Sequence, residues 1–160
     1  MIKSRKLRSL FAAVCAVGSA CASAPKVRPP PPPEDCPPDV FEAMKRLDMH
    51  YGSHGISFLP LEQPLGSVPV KEGPVMARTV GAWKVLPNNT ALLGRIFIGT
   101  NRVYARFTEA HLPGGEVVPV CMEMTRNGDV GVPMLEGSTP ERALIDSIDR
   151  VRSVDRFGPM

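Results

Sequence analysis

Between residues 75 and 124 apolar and polar positions alternate in short runs, each closed by turn-forming residues. In residues 102–109, Val103, Ala105 and Phe107 alternate with Tyr104, Arg106 and Thr108, the period of a strand wetted on one face. Residues 75–80, 82–86, 91–98 and 117–124 read as strands on the same ground, and residues 67–71 as an edge strand. Pro60, Pro64, Pro69 and Pro74 break any longer element in residues 56–74. Pro87-Asn88-Asn89-Thr90, Gly99-Thr100-Asn101, Pro113-Gly114-Gly115 and Asn127-Gly128 supply the turns. Connections this short leave no room for helical crossovers, so the strands should run antiparallel. The expected fold is mainly β, a small antiparallel sandwich or barrel.

Helical spacing occurs twice outside that block. In residues 39–49, Phe41, Met44 and Leu47 share one stripe, Asp39 and Glu42 suit a capping box, and Gly52 and Gly55 follow. Near the C-terminus, Leu144, Ile148 and Val151 form a second stripe. Thr139 stands at its N-cap, Pro140 in its first turn and Glu141 at its positive end. The pattern therefore predicts a short N-terminal helix and a C-terminal helix packed across an open side of the sheet.

The first 38 residues follow a different logic. Residues 1–9 are basic, residues 10–17 are apolar, and Gly18, Ser19 and Ala20 are small, the three-part layout of a secretion signal. Eight apolar residues are far fewer than the ~20 that cross a bilayer. Gly18-Ser19-Ala20-Cys21 resembles the lipobox of bacterial lipoproteins, with Gly18 where an aliphatic residue is usual. That resemblance implies acylation, palmitate included, at Cys21, which becomes the first mature residue. The competing reading is ordinary cleavage after Ala20-Cys21-Ala22. Ala22 lacks the Asp that resembles an inner-membrane retention signal, which implies the outer membrane. Two or more acyl chains on one residue form a firm anchor.

Residues 25–38 hold eight prolines, five of them at 29–33. Such a segment favours polyproline II, so the fifteen residues from Cys21 to Cys36 could span roughly 45 Å as a stiff spacer. The expected plan is a signal in 1–20, lipidated Cys21 and tether in 21–38, a β-rich domain in 39–154 and a tail in 155–160.

Charge narrows the partners. The chain has 19 Lys and Arg, 16 Asp and Glu, and a formal net charge of +3. Lys3, Arg5, Lys6 and Arg8 leave with the signal, so 15 bases face 16 acids, a formal net of −1. A near-neutral domain has no electrostatic footprint for nucleic acid. The expected partners are the membrane, through the anchor, and an envelope protein or glycan.

Of four cysteines, Cys15 lies in the signal and Cys21 at its boundary. Cys36 and Cys121 remain, and in an oxidising compartment they read as one disulfide. Two free buried thiols are the alternative. Cys121 lies opposite Val118, Val120 and Met122 in its strand, so it should look outward, towards Cys36.

Candidate chemistry is sparse, and no catalytic, cofactor-binding or metal-binding residue is assigned. His50 and His54 have helical ligand spacing, but Gly52 and Gly55 spoil the helix and no third ligand is near. Ser53, Ser57, His111 and Asp129 are hydrolase residue types without a nucleophile-elbow sequence. Glu109, Glu116 and Glu123 read as solubilising charge.

The layout, with Arg102-Val103-Tyr104-Ala105-Arg106-Phe107-Thr108-Glu109-Ala110, Pro113-Gly114-Gly115, Pro119-Val120-Cys121 and Asp155-Arg156-Phe157, resembles small lipoproteins of myxobacterial type. The resemblance spans residues 75–157 and implies a lipobox, a spacer and a β domain, with no activity to carry over. The function expected is a lipid-anchored cell-envelope protein, a non-catalytic binding or structural module. The alternatives are an envelope hydrolase using His54 or His111 on cell-wall or glycan material, and a secretion-machine component, suggested by residues 86–94.

Overall fold

The computed structural model describes residues 27–59, 66–139 and 141–158. The expected signal and Cys21 lie outside them. In chain order the elements are β1 (Glu34–Asp35), α1 (Val40–Arg46), β2 (His54–Phe58), β3 (Ser67–Val70), β4 (Gly73–Thr79), β5 (Ala91–Ile98) and β6 (Arg102–His111). They continue as β7 (Val117–Arg126), β8 (Asp129–Val130), β9 (Val132–Pro133), β10 (Ala143–Asp146), β11 (Ile148–Ser153) and β12 (Arg156–Phe157).

The main sheet is antiparallel and runs β7–β11–β2–β4–β5–β6, and β6 pairs back with β7. This return closes it as a barrel, which removes the open edges a flat sheet would leave. The alternation along the strands places its lining. Phe107 pairs with Met122, Met124 with Val151, Ala105 with Ile96, and Val103 with Ile98. All eight are buried. β8 and β9 extend one rim, while β3–β10 and β1–β12 form two small ribbons. At the β5–β6 bulge, Gly94 passes so close to β6 that a Cβ would stand 1.8 Å from the Arg106 carbonyl oxygen. The β7–β8 turn uses Asn127 and Gly128 at φ 56° and 90°, as its sequence predicts.

The C-terminal helix does not form. Thr139 and Arg142 make a tight bridge instead, and the chain continues as β10 and β11. Ala143, Ile145, Ser147, Asp149, Val151 and Ser153 are all buried, an unbroken period of two. Three of them are polar, so the apolar pattern alone shows a helical stripe rather than this alternation. Their polarity is met by distant partners. The Ser153 hydroxyl donates to the His50 carbonyl and accepts the Ser53 amide at 3.0 Å, and Ser147 accepts the Gly66 amide at 3.3 Å.

Three smaller expectations also change. Helix α1 buries Val40, Ala43 and Met44, and Leu47 just after it is buried too, while Phe41 is exposed. Asp39 precedes it in a left-handed conformation and makes no side-chain cap. Residues 82–86 are a turn in which Trp83 and Leu86 bridge each other, and the Trp83 ring packs where a Cβ on Gly55 would stand. Gly55 thus serves β2, which the sequence reading missed, rather than ending a helix. Finally, β12 lies in the expected tail and pairs with β1, burying Phe157.

Candidate functional site

One cross-strand row organises the outer wall. Arg95 pairs with Arg106, Arg106 with Glu123, Glu123 with Arg152, and Arg152 with His54. Directly opposed residues share a face, so five polar side chains from five strands line up outside the barrel. Arg95 and His54 are exposed and Arg152 is partly buried; Arg106 and Glu123 are buried at 4% and 2% exposure because other parts of the chain cover them.

Arg106 is the centre of that cover. Its guanidinium lies over the rings of Phe97 and Phe157, at 5.3 and 5.2 Å from their centroids. A delocalised cation between two aromatic faces is stabilised by both and gives up less hydration than an ammonium would. Nη1 donates to Glu34 at 3.1 Å, and Nη2 donates to the carbonyls of Pro32 at 2.8 Å and Pro31 at 3.4 Å. The Nε donor is buried and has no hydrogen-bond partner among the described residues. Proline carbonyls accept well because a proline segment has no intrasegment hydrogen bonds to occupy them.

The proline-rich segment is therefore strapped to the barrel. Below the Arg106 contact, the Arg28 amide donates to Thr100 Oγ1 at 2.8 Å, and the same hydroxyl donates to the Arg28 carbonyl at 3.0 Å. Above it, β1 pairs with β12, and Cys36 is disulfide-bonded to Cys121, with Cα atoms 5.5 Å apart. Cys121 faces out of the barrel, as the alternation predicts, yet is fully buried, with α1 packed against its strand. The stiff spacer expected over residues 21–38 is, from Arg28 onward, bound to the barrel wall. Beside the strap a shallow groove of about 370 Å³ runs between Arg95, Phe97, Thr108, Glu109 and Phe157.

A second polar cluster closes one barrel rim. Arg126 Nε and Nη2 hold both carboxylate oxygens of Asp149 at 3.1 and 2.6 Å, and Nη1 reaches Asp146 at 2.5 Å. Burial pushes the Asp149 carboxyl above its ordinary value, and the Arg126 bonds offset this only in part. The hydrogen bonding that Arg126 donates to Asp149 is the main reason the Arg126 pKa is raised. On the outer wall, Glu123 Oε1 accepts from Arg152 Nε at 2.9 Å and Nη2 at 2.7 Å, while Oε2 is buried with no hydrogen-bond partner among the described residues. Glu123 is thus a buried ion-pair member, not the solubilising charge its sequence context suggests.

The candidate hydrolase and ligand residues do not converge. His50 lies 3.4 Å from Asp48, and His54 sits on β2 beside Arg152. His111 meets Glu109 at 2.9 Å by the β6–β7 turn, while Asp129 pairs with Arg102 at 3.7 Å at the opposite rim. Ser57 is buried in register with Asp149 and Thr79. Glu116 stands exposed in a turn. Among the described residues no group of three or more His, Cys, Asp or Glu could hold a metal ion. Among the same residues no helix is long and apolar enough to cross a membrane.

Sequence reasoning missed Arg106 because an arginine at an alternate strand position reads as solvent-facing. It missed Pro31, Pro32 and Phe157 because they belong to segments without periodicity. The chain matches no known family model and no curated protein.

Proposed function

We propose that this chain is an exported cell-envelope protein, lipid-anchored through Cys21, whose barrel is a non-catalytic binding or structural module for an envelope protein or glycan. The observation that carries the export reading is the Cys36–Cys121 disulfide. Such bonds persist outside the reducing cytoplasm, and this one uses the two cysteines that remain after residues 1–21. The lipobox resemblance of Gly18-Ser19-Ala20-Cys21 supports the anchor, and Ala22 supports an outer-membrane destination. The module reading is supported by how the buried charges are used. Arg106 holds the strap, Glu123 binds Arg152, and Asp149 binds Arg126, so each is committed to holding chain segments together.

Fractionation of cells expressing the full chain tests the anchor. The natural protein should sediment with membranes and carry acyl mass on Cys21, and Cys21→Ser should release it. An intact mass with an unmodified N-terminus at Ser23 would overturn the lipoprotein reading.

A further inference from the structure

We propose that the barrel stands on the membrane by one defined rim. The rim formed by residues 71–72, 99–101 and 127–128 faces the phospholipid headgroups, and the rim carrying residues 82–86 and 113–115 points away. This rests on lipidation at Cys21.

The two rims follow from register. Gly73 pairs with Ile96 and Ile98 with Val103, so the β3–β4 and β5–β6 turns share an end. Arg102 joins the β7–β8 region to it by donating to the Val130 and Gly131 carbonyls at 3.1 and 2.7 Å. The β6–β7 turn lies at the other end, since His111 pairs with Val117 there.

The strap enters at the first rim. The two hydrogen bonds between Arg28 and Thr100 fix it on the β5–β6 turn, and Arg28 Nη1 lies 3.9 Å from Glu72 on the β3–β4 turn. From there the chain climbs the wall through the Arg106 carbonyl contacts to the disulfide. Only the seven residues that follow Cys21 up to Arg28 are left as a leash. At most ~3.6 Å per residue, that leash reaches about 25 Å, well short of the roughly 45 Å expected of the stiff spacer. Eight-residue β5, at ~3.4 Å per residue and tilted by about 40°, gives a wall roughly 20 Å high. An inverted barrel would hold Arg28 that far above the lipid and need the leash nearly taut. With the first rim down the leash is slack, which its chain entropy favours. That rim presents Lys71, Glu72, Thr100, Asn101, Asn127 and Asp129, groups that contact headgroups without inserting.

The test uses the full-length protein in phosphatidylcholine vesicles containing a headgroup-nitroxide lipid. Trp83 is the sole tryptophan of the chain, and it lies at the far rim, since β4 leads into its turn from Arg78, which pairs with Ala91, and Ala91 pairs with His111. Asn101→Trp adds an indole at the near rim. Gly114→Trp adds one at the exposed far turn, where a Cβ meets nothing within 4 Å among the described residues. Intact mass first establishes lipidation. The nitroxide should quench the Asn101→Trp indole and leave both the natural protein and Gly114→Trp unquenched. Lipidated protein in which Gly114→Trp is quenched as strongly as Asn101→Trp overturns the orientation alone. Protein without acyl mass overturns the anchor, and the orientation with it.

Discussion

Removing the Cys36–Cys121 bond should cost this protein a large share of its stability. The two cysteines are separated by 85 residues. In the chain-entropy treatment a closed loop of that length restricts the unfolded ensemble by about 15 cal/mol/K, or about 4.6 kcal/mol at 25 °C. A domain of this size has a total of roughly 5–15 kcal/mol, so the bond supplies a third or more of it. The perturbation is the paired substitution Cys36→Ala with Cys121→Ala, which leaves no free thiol in the buried site under α1. Reversible urea unfolding of both forms reads the difference. The midpoint should fall, and the slope should rise, because the unfolded chain without its cross-link exposes more surface. The expected difference of about 4 kcal/mol corresponds to roughly a thousand-fold in the unfolding equilibrium. If the paired variant unfolds within about 1 kcal/mol of the natural protein at unchanged slope, the loop-closure argument fails.

Other perturbations probe the strap, the bulge and the rim. Deleting Pro29–Pro33, or replacing Arg106→Lys, should lower stability by about 1.5–3 kcal/mol in the same assay, since lysine keeps the charge but not the fork on Pro31, Pro32 and Glu34. A deletion that leaves the unfolding midpoint unmoved would show that the segment is a passive spacer after all. Gly94→Ala should destabilise by about 3 kcal/mol or fail to fold, because its Cβ would meet the Arg106 carbonyl, a backbone atom that cannot swing aside. Urea midpoints and expression yield against a Gly114→Ala control read this directly. Asp149 has a raised folded pKa, so between its ordinary value of 3.8 and that higher value the folded state binds more protons than the unfolded one. Its contribution to stability is then greatest below that window and declines as pH rises through it. Unfolding free energies measured from acid to neutral pH should therefore show the natural protein losing ground to Asp149→Asn as pH rises; a constant gap would refute the assignment.

The interior of this fold was legible where neighbours in sequence decide the outcome. β5 has the predicted bounds of 91–98, and β6 and β7 run only a little beyond theirs, because alternation on a wall with an apolar lining is a local property of each strand. The Asn127-Gly128 turn was legible because its positive φ angles select those residue types. Alternation alone sets the outward direction of Cys121, while the sequence leaves its pairing open between a bond and free thiols. What sequence could not decide was how polar residues are spent. Ser147, Asp149 and Ser153 occupy buried positions of β11 and its approach, and partners far away in the chain, Gly66, Arg126, His50 and Ser53, make that burial tolerable. Without those partners in view, Leu144, Ile148 and Val151 look like a helix face. The same holds for Arg106, a strand arginine that becomes a buried clamp only when Phe157 and the Pro31 and Pro32 carbonyls arrive from the two ends of the chain. A polar group's desolvation is opposed or permitted by whatever lies across from it, and that is set by the closed barrel rather than by its neighbours in sequence.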